Sequence, residues 1–235
     1  MPRKNYQELL DELREDVLYM SEVVLDRLRQ ALSALERKDE AVAREVIEGD
    51  HEVNELYLQL ENDCVDLLAL QQPVASDLRF ITASFKIITD LERVGDLATN
   101  LGEYTEQARQ DVFPDVDVQA IGEAVAGMVE DAMAAYADGD VDAAYALAAR
   151  DEKVDAMCEA ASETVVRDLL TQEVDGDTGD GGDVGDAGGA AVEATMREVS
   201  RLLLTVRDLE RVGDHAVNVA ARTVYMVDND DGLIY

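Results

Sequence analysis

Acidic or amide side chains spaced four residues apart are the chain's clearest candidates for chemistry. Two such pairs lie in the two copies of the heptad DLERVGD, as Glu92 with Asp96 and Glu210 with Asp214. Residues four apart share one face of a helix, where two carboxylates repel each other by about a few tenths of a kcal/mol. A single pair would fit solvated surface acids, but this pair occurs in both halves of a chain whose halves have otherwise diverged. We therefore interpret the pairs as ligands of a cation, which would offset the repulsion.

Two further pairs lie upstream, and in the first half their positions match those of the heptad acids. Residues equidistant from the turn of an antiparallel helical hairpin lie side by side. The midpoint of Asp50 and Asp96 is position 73, and so is the midpoint of Asn54 and Glu92. Pro73, within QQPVASD, predicts a turn at that position. The sequence thus places oxygen-bearing side chains of two helices at one level.

The second half repeats this arrangement with Asp151 and Asp155 opposite Asp214 and Glu210. Their shared midpoint falls in the stretch 174–189, VDGDTGDGGDVGDAGG. Roughly four to five hard oxygen ligands at one level suit Mg²⁺, Mn²⁺, iron or, less typically, zinc. The predicted metal ligands are Asp50, Asn54, Glu92, Asp96, Asp151, Asp155, Glu210 and Asp214.

Four residues beside these ligands are additional candidates for the site. Asn100 and its repeat Asn218 follow the second acid of each heptad by four residues and extend the same face. Arg93 and Arg211, inside the heptads, are candidates for pairing with the acids or for holding an anion beside them.

The heptad glycines and the two histidines are weaker indicators. Gly95 and Gly213 lie in mid-helix, where glycine is unfavourable by roughly 1 kcal/mol relative to alanine, so we expect a neighbouring helix or a bound cation to approach closely there. His51 and His215 each directly follow a predicted ligand. Adjacent residues of a helix point about 100° apart, which disfavours both histidines as ligands.

Apolar residues at helical spacing predict the elements that carry these side chains. The pattern predicts helices over 6–35, 39–70 and 76–109, with Asp39 as the N-cap of the second. The stretch DVFPDVD, residues 111–117, predicts a linker between two halves.

The second half repeats the plan of the first. Five small or acidic residues recur at an offset of 101, namely Ala31, Ala34, Asp39, Ala43 and Asp50 as Ala132, Ala135, Asp140, Ala144 and Asp151. The heptads are offset by 118, so the second half carries 17 additional residues. The stretch 174–189 accounts for all but one of them, and its composition predicts a mobile, solvated loop. Its acids do not have the spacing of a calcium-binding EF-hand.

These observations predict an all-α protein of six helices in two tandem, pseudo-symmetric three-helix bundles. The first bundle spans residues 1–111 and the second spans 112–235 with the Gly/Asp-rich loop.

Composition narrows the function classes. The formal net charge is −33, with four lysines among 20 basic residues, which disfavours direct nucleic-acid binding and suits adaptation to high internal salt. Neither a bilayer-spanning apolar run nor a signal peptide is apparent. Cys64 and Cys158 form no C-x-x-C motif. We interpret them as reduced helix residues of a cytoplasmic protein.

Two long segments resemble the PhoU family of phosphate-transport accessory and regulatory proteins. They are QQPVASDLRFITASFKIITDLERVGDLATN (71–100) and RDLERVGDHAVNVA (207–220). The resemblance implies a cytoplasmic, non-enzymatic all-α protein whose acidic motifs bind multinuclear iron or zinc clusters. It further implies damping of phosphate uptake and signalling through contact with the ATPase of the phosphate ABC transporter and, in many cells, a sensor histidine kinase. Homodimers are common in that family.

The chain departs from the family pattern at two places. Asn54 stands where the motif has an acid, which weakens the first site unless Glu55 substitutes. The second half has the long insertion in place of a QQPVASD-like turn.

Two other classes of protein also carry acidic residues on helices, namely di-iron oxidases and metal-buffering or storage proteins. A di-iron oxidase uses several Glu-x-x-His pairs that face the bundle interior, whereas this chain has that spacing once, in Glu48 and His51, and the predicted ligands lie off the apolar face of their helix. A metal-buffering or storage protein without a signalling partner stays open as the alternative to regulation.

Overall fold

A computed structural model describes residues 3–70, 73–108, 116–176 and 186–233, and these ranges are almost entirely helical. The all-α prediction is confirmed. The helices are α1 Arg3–Arg37, α2 Glu40–Glu48, α3 Asp50–Leu70, α4 Ala75–Gln107, α5 Val118–Asp138, α6 Val141–Gly176 and α7 Asp186–Asp228.

The second predicted helix is present as α2 and α3, with a break at Gly49. Asp39 caps α2 as predicted, because its carboxylate accepts hydrogen bonds from the backbone N–H groups of Ala41 and Val42. The Arg27 side chain lies where a Cβ at residue 49 would be, and Arg27 pairs with Glu52 on α3 at 2.5 Å. A side chain at residue 49 would therefore have to displace the guanidinium group of Arg27.

The same turn joins the first two helices of each half. Lys38 precedes Asp39 with a φ of 54°, and Gly139 precedes Asp140 with a φ of 65°. The Asp140 carboxylate accepts a hydrogen bond from the backbone N–H of Ala143, as Asp39 does in the first half. The offset of 101 read from the sequence thus corresponds to one repeated left-handed turn and N-cap.

The long helices α6 and α7 extend into the stretch predicted to be a loop. The helix α6 ends at Gly176 and α7 begins at Asp186. Residues 174–176 and 186–189 are therefore helical, and residues 177–185 of the predicted loop lie outside the described residues. The predicted domain boundary between residues 111 and 112 also lies outside them.

One apolar core joins the two halves. Its buried residues come from every helix, and on α4 they line one face as Ile87, Leu91, Val94, Ala98 and Leu101. A buried hydrogen bond of 2.7 Å between Ser84 of α4 and Tyr136 of α5 also crosses from one half to the other. The two three-helix units are therefore packed on each other and do not form separate cores.

The helices α4 and α7 are antiparallel at the centre of the molecule. At one end the Arg79 side chain donates a hydrogen bond to the carbonyl of Met226, and at the other end Arg201 donates to the carbonyl of Gln107. Because each heptad lies midway along its helix, the antiparallel packing brings the two copies together. No helix among the described residues is long and apolar enough to cross a membrane.

Candidate metal centres and the seam between the repeats

The second-half acids lie on facing surfaces of α6 and α7. Burial and the carboxylates of Asp155, Asp214 and Glu210, in that order, raise the pKa of Asp151 to about 6. Asp151 Oδ1 is buried without a hydrogen-bond partner. A buried carboxylate oxygen with neither a donor nor a cation is costly.

The other three acids of this cluster interact with each other as well. Partial desolvation and the carboxylates of Asp155 and Asp214 raise the pKa of Glu210. Desolvation followed by the charge of Asp155 raises the pKa of Asp214. The structure thus brings together all four second-half residues predicted from the sequence.

Neighbouring helices come close to the backbone at both heptad glycines. A Cβ at Gly213 would lie 3.3 Å from Asp151 Oδ1, and a Cβ at Gly95 would lie 3.0 Å from Cγ1 of Val53 on α3. The expected close approach at both mid-helix glycines is therefore present. At Gly213 the approaching atom is the unpaired carboxylate oxygen itself.

Cys158 lies against the same cluster. Burial, followed by the charges of Glu210, Asp155, Asp214 and Asp151, raises the pKa of the Cys158 thiol to about 12. Burial likewise raises the pKa of Cys64 to about 12. Both are free, buried cysteines, and both therefore stay protonated near neutral pH.

The first-half acids have more hydrogen-bonding and ion-pair partners than the second-half acids have. Asp50 accepts hydrogen bonds from the Asn54 amide at 2.7 Å and from the Thr99 hydroxyl at 3.1 Å. The sequence midpoint placed Asp50 opposite Asp96, three residues from Thr99. Burial is the largest cause of the raised pKa of Glu92 and Asp96, and the charge of Asp50 contributes to both.

The heptad arginines take different places in the two halves. Arg93 pairs with Glu92 and Asp96 at 3.4 Å each, as predicted for a partner of the acids. Arg211 lies 3.7 Å from Asp208. Its charge also lowers the pKa of both Asp96 and Asp214 against the other influences. Arg211 therefore lies between the two acidic clusters.

The donor chemistry fits a hard or borderline cation better in the second half than in the first. The second half offers four carboxylates and an orphaned buried oxygen, whereas Asp50 already accepts two hydrogen bonds and Asn54 uses its amide N–H on Asp50. In the described parts of the chain no three His, Cys, Asp or Glu side chains already converge as ligands. Binding would therefore require the carboxylates to rotate toward one another. Glu55 is exposed on α3, about 100° around the helix from Asn54.

A polar seam between α4 and α7 holds the first aspartate of each heptad. Asp208 is fully buried and accepts hydrogen bonds from the Tyr104 hydroxyl at 2.8 Å, the Asn100 amide at 3.2 Å and the Arg207 guanidinium at 2.9 Å. Asp90 accepts from the Asn218 amide at 3.2 Å. Each aspartate is thus bound by the asparagine that follows the other heptad.

This seam corrects the expectation for Asn100 and Asn218. Both were candidates for the acidic face, but their amides donate across the seam to Asp208 and Asp90. Each step of four residues turns a helix by about 40°, so the two steps from Glu92 to Asn100 direct the asparagine away from Glu92 and toward α7. His215 also lies in the seam, with Nδ1 2.9 Å from Asp90.

Sequence reasoning missed Asp90 and Asp208, although a signal was present. Both belong to the repeated heptad, and Asp90 with Asn218 has the same midpoint as Asn100 with Asp208. The equality follows from antiparallel packing of the two copies. Comparing the heptads with each other, as well as with the upstream pairs, would have found the seam.

A family model for the PhoU domain matches residues 17–105 and again residues 118–223. The chain belongs to the PhoU family. The two matches correspond to the two halves that the repeated turns, N-caps and heptads delimit.

Relatives and solved structures of the PhoU family resemble the chain over nearly its whole length. A phosphate-specific transport system accessory protein PhoU homolog of Pseudomonas putida is 32% identical over 94% of this chain and 80% of its own. The crystal structure of PhoU from Pseudomonas aeruginosa has a TM-score of 0.80 at 30% identity, covering 96% of this chain and all of that one. The phosphate transport system regulatory protein PhoU from Streptococcus pneumoniae has a TM-score of 0.81 at 25% identity, covering 96% and 98%.

Proposed function

We propose that this PhoU-family protein is a negative regulator of phosphate uptake, and that it acts as an accessory protein by binding the ATPase of a phosphate transporter and, where one is present, a sensor histidine kinase. The observation that carries the proposal is the full-length similarity to accessory and regulatory proteins of phosphate transport systems. The negative charge of −33 agrees with a protein partner rather than a nucleic acid.

Metal binding is the second part of the proposal, with iron or zinc as the expected cations and manganese or magnesium as alternatives. Asp151, Asp155, Glu210 and Asp214 would hold the ions, because their carboxylates destabilise one another in the absence of a cation. A bound cation would supply positive charge to this cluster and satisfy Asp151 Oδ1. The first-half cluster is the poorer site, since Asn54 is neutral and its N–H occupies Asp50.

Replacing Glu210 and Asp214 together by alanine is expected to remove most of the second-site metal, because half of its carboxylates are lost. Elemental analysis of the purified variant gives the metal content per chain. The matched control is Glu163→Ala with Glu193→Ala, which removes two exposed acids from the same two helices. This control should keep the wild-type content. An unchanged metal content in the Glu210/Asp214 variant would rule out the assignment.

Loss of the protein is expected to increase phosphate uptake when phosphate is plentiful, because the proposed restraint on the transporter is removed. Uptake of radiolabelled phosphate by cells with and without the gene measures this effect. Restoring the wild-type gene should return uptake to normal. Affinity purification from phosphate-replete cells should recover a transporter ATPase or a sensor kinase. Unchanged uptake together with no such partner would favour metal buffering instead.

A further inference from the structure

One arginine of the seam lies between the two acidic clusters. The first-half cluster consists of Asp50, Asn54, Glu92 and Asp96, and the second-half cluster consists of Asp151, Asp155, Glu210 and Asp214. The chain has only 20 basic residues against 53 acidic ones, so most carboxylates have no positive charge of their own. A guanidinium group that is close to both clusters therefore acts on two sites at once.

The antiparallel packing of α4 and α7 places Arg211 at the level of Asp96. The Asn100 amide donates a hydrogen bond to Asp208 at 3.2 Å, which fixes these two residues opposite each other. Asp96 precedes Asn100 by about one helical turn, and Arg211 follows Asp208 by about one turn. Because the helices are antiparallel, both steps lead in the same direction along the seam. The arginine of the second heptad is thus beside the first-half cluster.

Arg211 is also close to the second-half cluster, to which its own heptad belongs. It precedes Asp214 by three residues, so the two side chains are neighbours on one side of α7. Its guanidinium group lies 3.7 Å from Asp208 and is about half exposed. Because this arginine pairs with the seam, neither cluster has it as an exclusive partner.

The pKa values of the neighbouring acids agree with this position. Burial is the largest cause of the raised pKa of Asp96, and the charge of Arg211 lowers that pKa. Burial is also the largest cause of the raised pKa of Asp214, and Arg211 lowers this pKa as well. Arg211 therefore favours the charged form of one carboxylate in each cluster.

Two other positive groups near the clusters differ from Arg211. Arg93 lies 3.4 Å from both Glu92 and Asp96, and it is not among the charges that shift the pKa of the second-half acids. His215 is close to both clusters, but a histidine is charged only when it is protonated. Arginine is charged throughout the physiological pH range. Arg211 is thus the permanent positive charge that the two clusters have in common.

We propose that Arg211 is a counter-ion shared by the two clusters, which stabilises both in the absence of metal and lowers the affinity of both for a cation. This deepens the proposed function, and rests on its metal-binding part, because it names a residue that sets both affinities. A guanidinium group offsets the repulsion between carboxylates and repels an incoming cation. Both effects are moderate, since water screens a half-exposed charge.

The test is calorimetric titration of the full-length protein at pH 7.5 with Zn²⁺ and, separately, with Mn²⁺. Glu210→Ala with Asp214→Ala leaves the first-half cluster intact, and Glu92→Ala with Asp96→Ala leaves the second-half cluster intact. Addition of Arg211→Gln to either background is expected to lower the remaining dissociation constant about fivefold, because one opposing charge is removed. A fivefold change corresponds to about 1 kcal/mol.

Three further variants separate a shared charge from a local one. Arg93→Gln should strengthen the first-half site alone, because Arg93 contacts only that cluster. Arg207→Gln removes a similarly exposed guanidinium group, one turn away, that pairs with Asp208 and does not shift the pKa of the cluster acids. It should leave both affinities at their wild-type values. Arg211→Lys retains the charge and should keep most of the wild-type affinity at both sites.

Thermal unfolding provides a readout that separates a counter-ion from a merely structural residue. In chelator, Arg211→Gln should unfold at a lower temperature than the wild type, because the repulsion within both clusters increases. With saturating Zn²⁺ this deficit should become smaller or reverse, since the variant binds the ion more tightly. A purely structural role for Arg211 would lower the unfolding temperature equally in both conditions.

Two results would overturn the shared counter-ion. One is an unchanged affinity at both sites in Arg211→Gln, and the other is a change at one site only. Either result, in a protein whose wild type binds metal at both clusters, would reject the role of Arg211 and leave metal binding standing. A wild type that binds neither Zn²⁺ nor Mn²⁺ would instead reject the metal-binding part of the proposed function, and the role of Arg211 with it.

Discussion

Asp208→Ala is expected to lower the free energy of unfolding by about 3 kcal/mol, because it removes the acceptor at the centre of the seam between the repeats. Asp208 is fully buried, and the Tyr104 hydroxyl and the Asn100 amide both donate to it. After the substitution these two donors remain in a partly buried place without a partner. Arg207 and Arg211 are about half exposed, so water can solvate their guanidinium groups and limits the loss.

The matched control for this prediction is Asp90→Ala, the equivalent position in the first repeat. The Asp90 side chain retains 15% of its exposure and its partners are His215 and Asn218. Water reaches these groups more easily, so we expect a loss of about 1 kcal/mol. Urea unfolding followed by circular dichroism measures both values. Equal losses for the two variants would contradict the expectation that the buried Asp208 stabilises the packing of α4 against α7 more than Asp90 does.

Asp151→Asn is expected to stabilise the metal-free protein at pH 7.5, by about 1 kcal/mol after allowance for the partial exposure of the group. The substitution removes one charge from a cluster of four carboxylates. The pKa of Asp151 is raised to about 6, chiefly by burial and then by Asp155, Asp214 and Glu210. The same change should weaken metal binding, since it removes a charged ligand with an unsatisfied oxygen. Stability and metal affinity should thus move in opposite directions.

The raised pKa also fixes the direction of the pH dependence. The folded protein holds a proton on Asp151 more tightly than the unfolded chain does, so metal-free protein gains stability as the pH falls through about 6 toward the ordinary value of 3.8. Thermal unfolding in chelator at pH 7.5 and pH 5.5 should show greater stability at pH 5.5 for the wild type. Asp151→Asn should flatten this difference.

The control for this measurement is Asp142→Asn, which removes the same charge from an exposed position on the same helix. It should leave the wild-type pH dependence in place. A wild-type protein that is less stable at pH 5.5 than at pH 7.5 would show that the second-half acids are not held together in the absence of metal.

Local patterns predicted the helices and the second-half acidic cluster because the physics involved is local. Apolar spacing and the N-cap Asp39 define helices from a few neighbouring residues. Equal midpoints place side chains together wherever two consecutive helices form a hairpin. This placed Asp151 beside its neighbours, and it placed Asp50 close enough to Asp96 for its charge, second to burial, to raise the pKa of Asp96, although Asp50 also accepts a hydrogen bond from Thr99.

Contacts between the halves were not predicted, because they depend on how two distant hairpins pack. The position of Asn100 in the helix predicts the direction of its side chain to within about 40°. A difference of this size decides whether the side chain lies in the acidic cluster or in the seam. Whether the amide turns toward Glu92 or toward Asp208 is decided by the approach of α7. The helical ends inside the Gly/Asp-rich stretch were also missed, since extension of the long hairpin α6–α7 outweighs the weak helix propensity of Gly and Asp there.

The crossed pairing of Asp90 with Asn218 and of Asp208 with Asn100 gives this single chain the contact geometry of a twofold-symmetric dimer. In such an isologous interface each side supplies the same two groups and receives the same two in return. Either repeat on its own would lack the amide that its first heptad aspartate requires. A chain cut between the halves should therefore remain associated as a non-covalent pair, and a protein carrying one repeat would have to pair with another copy of itself.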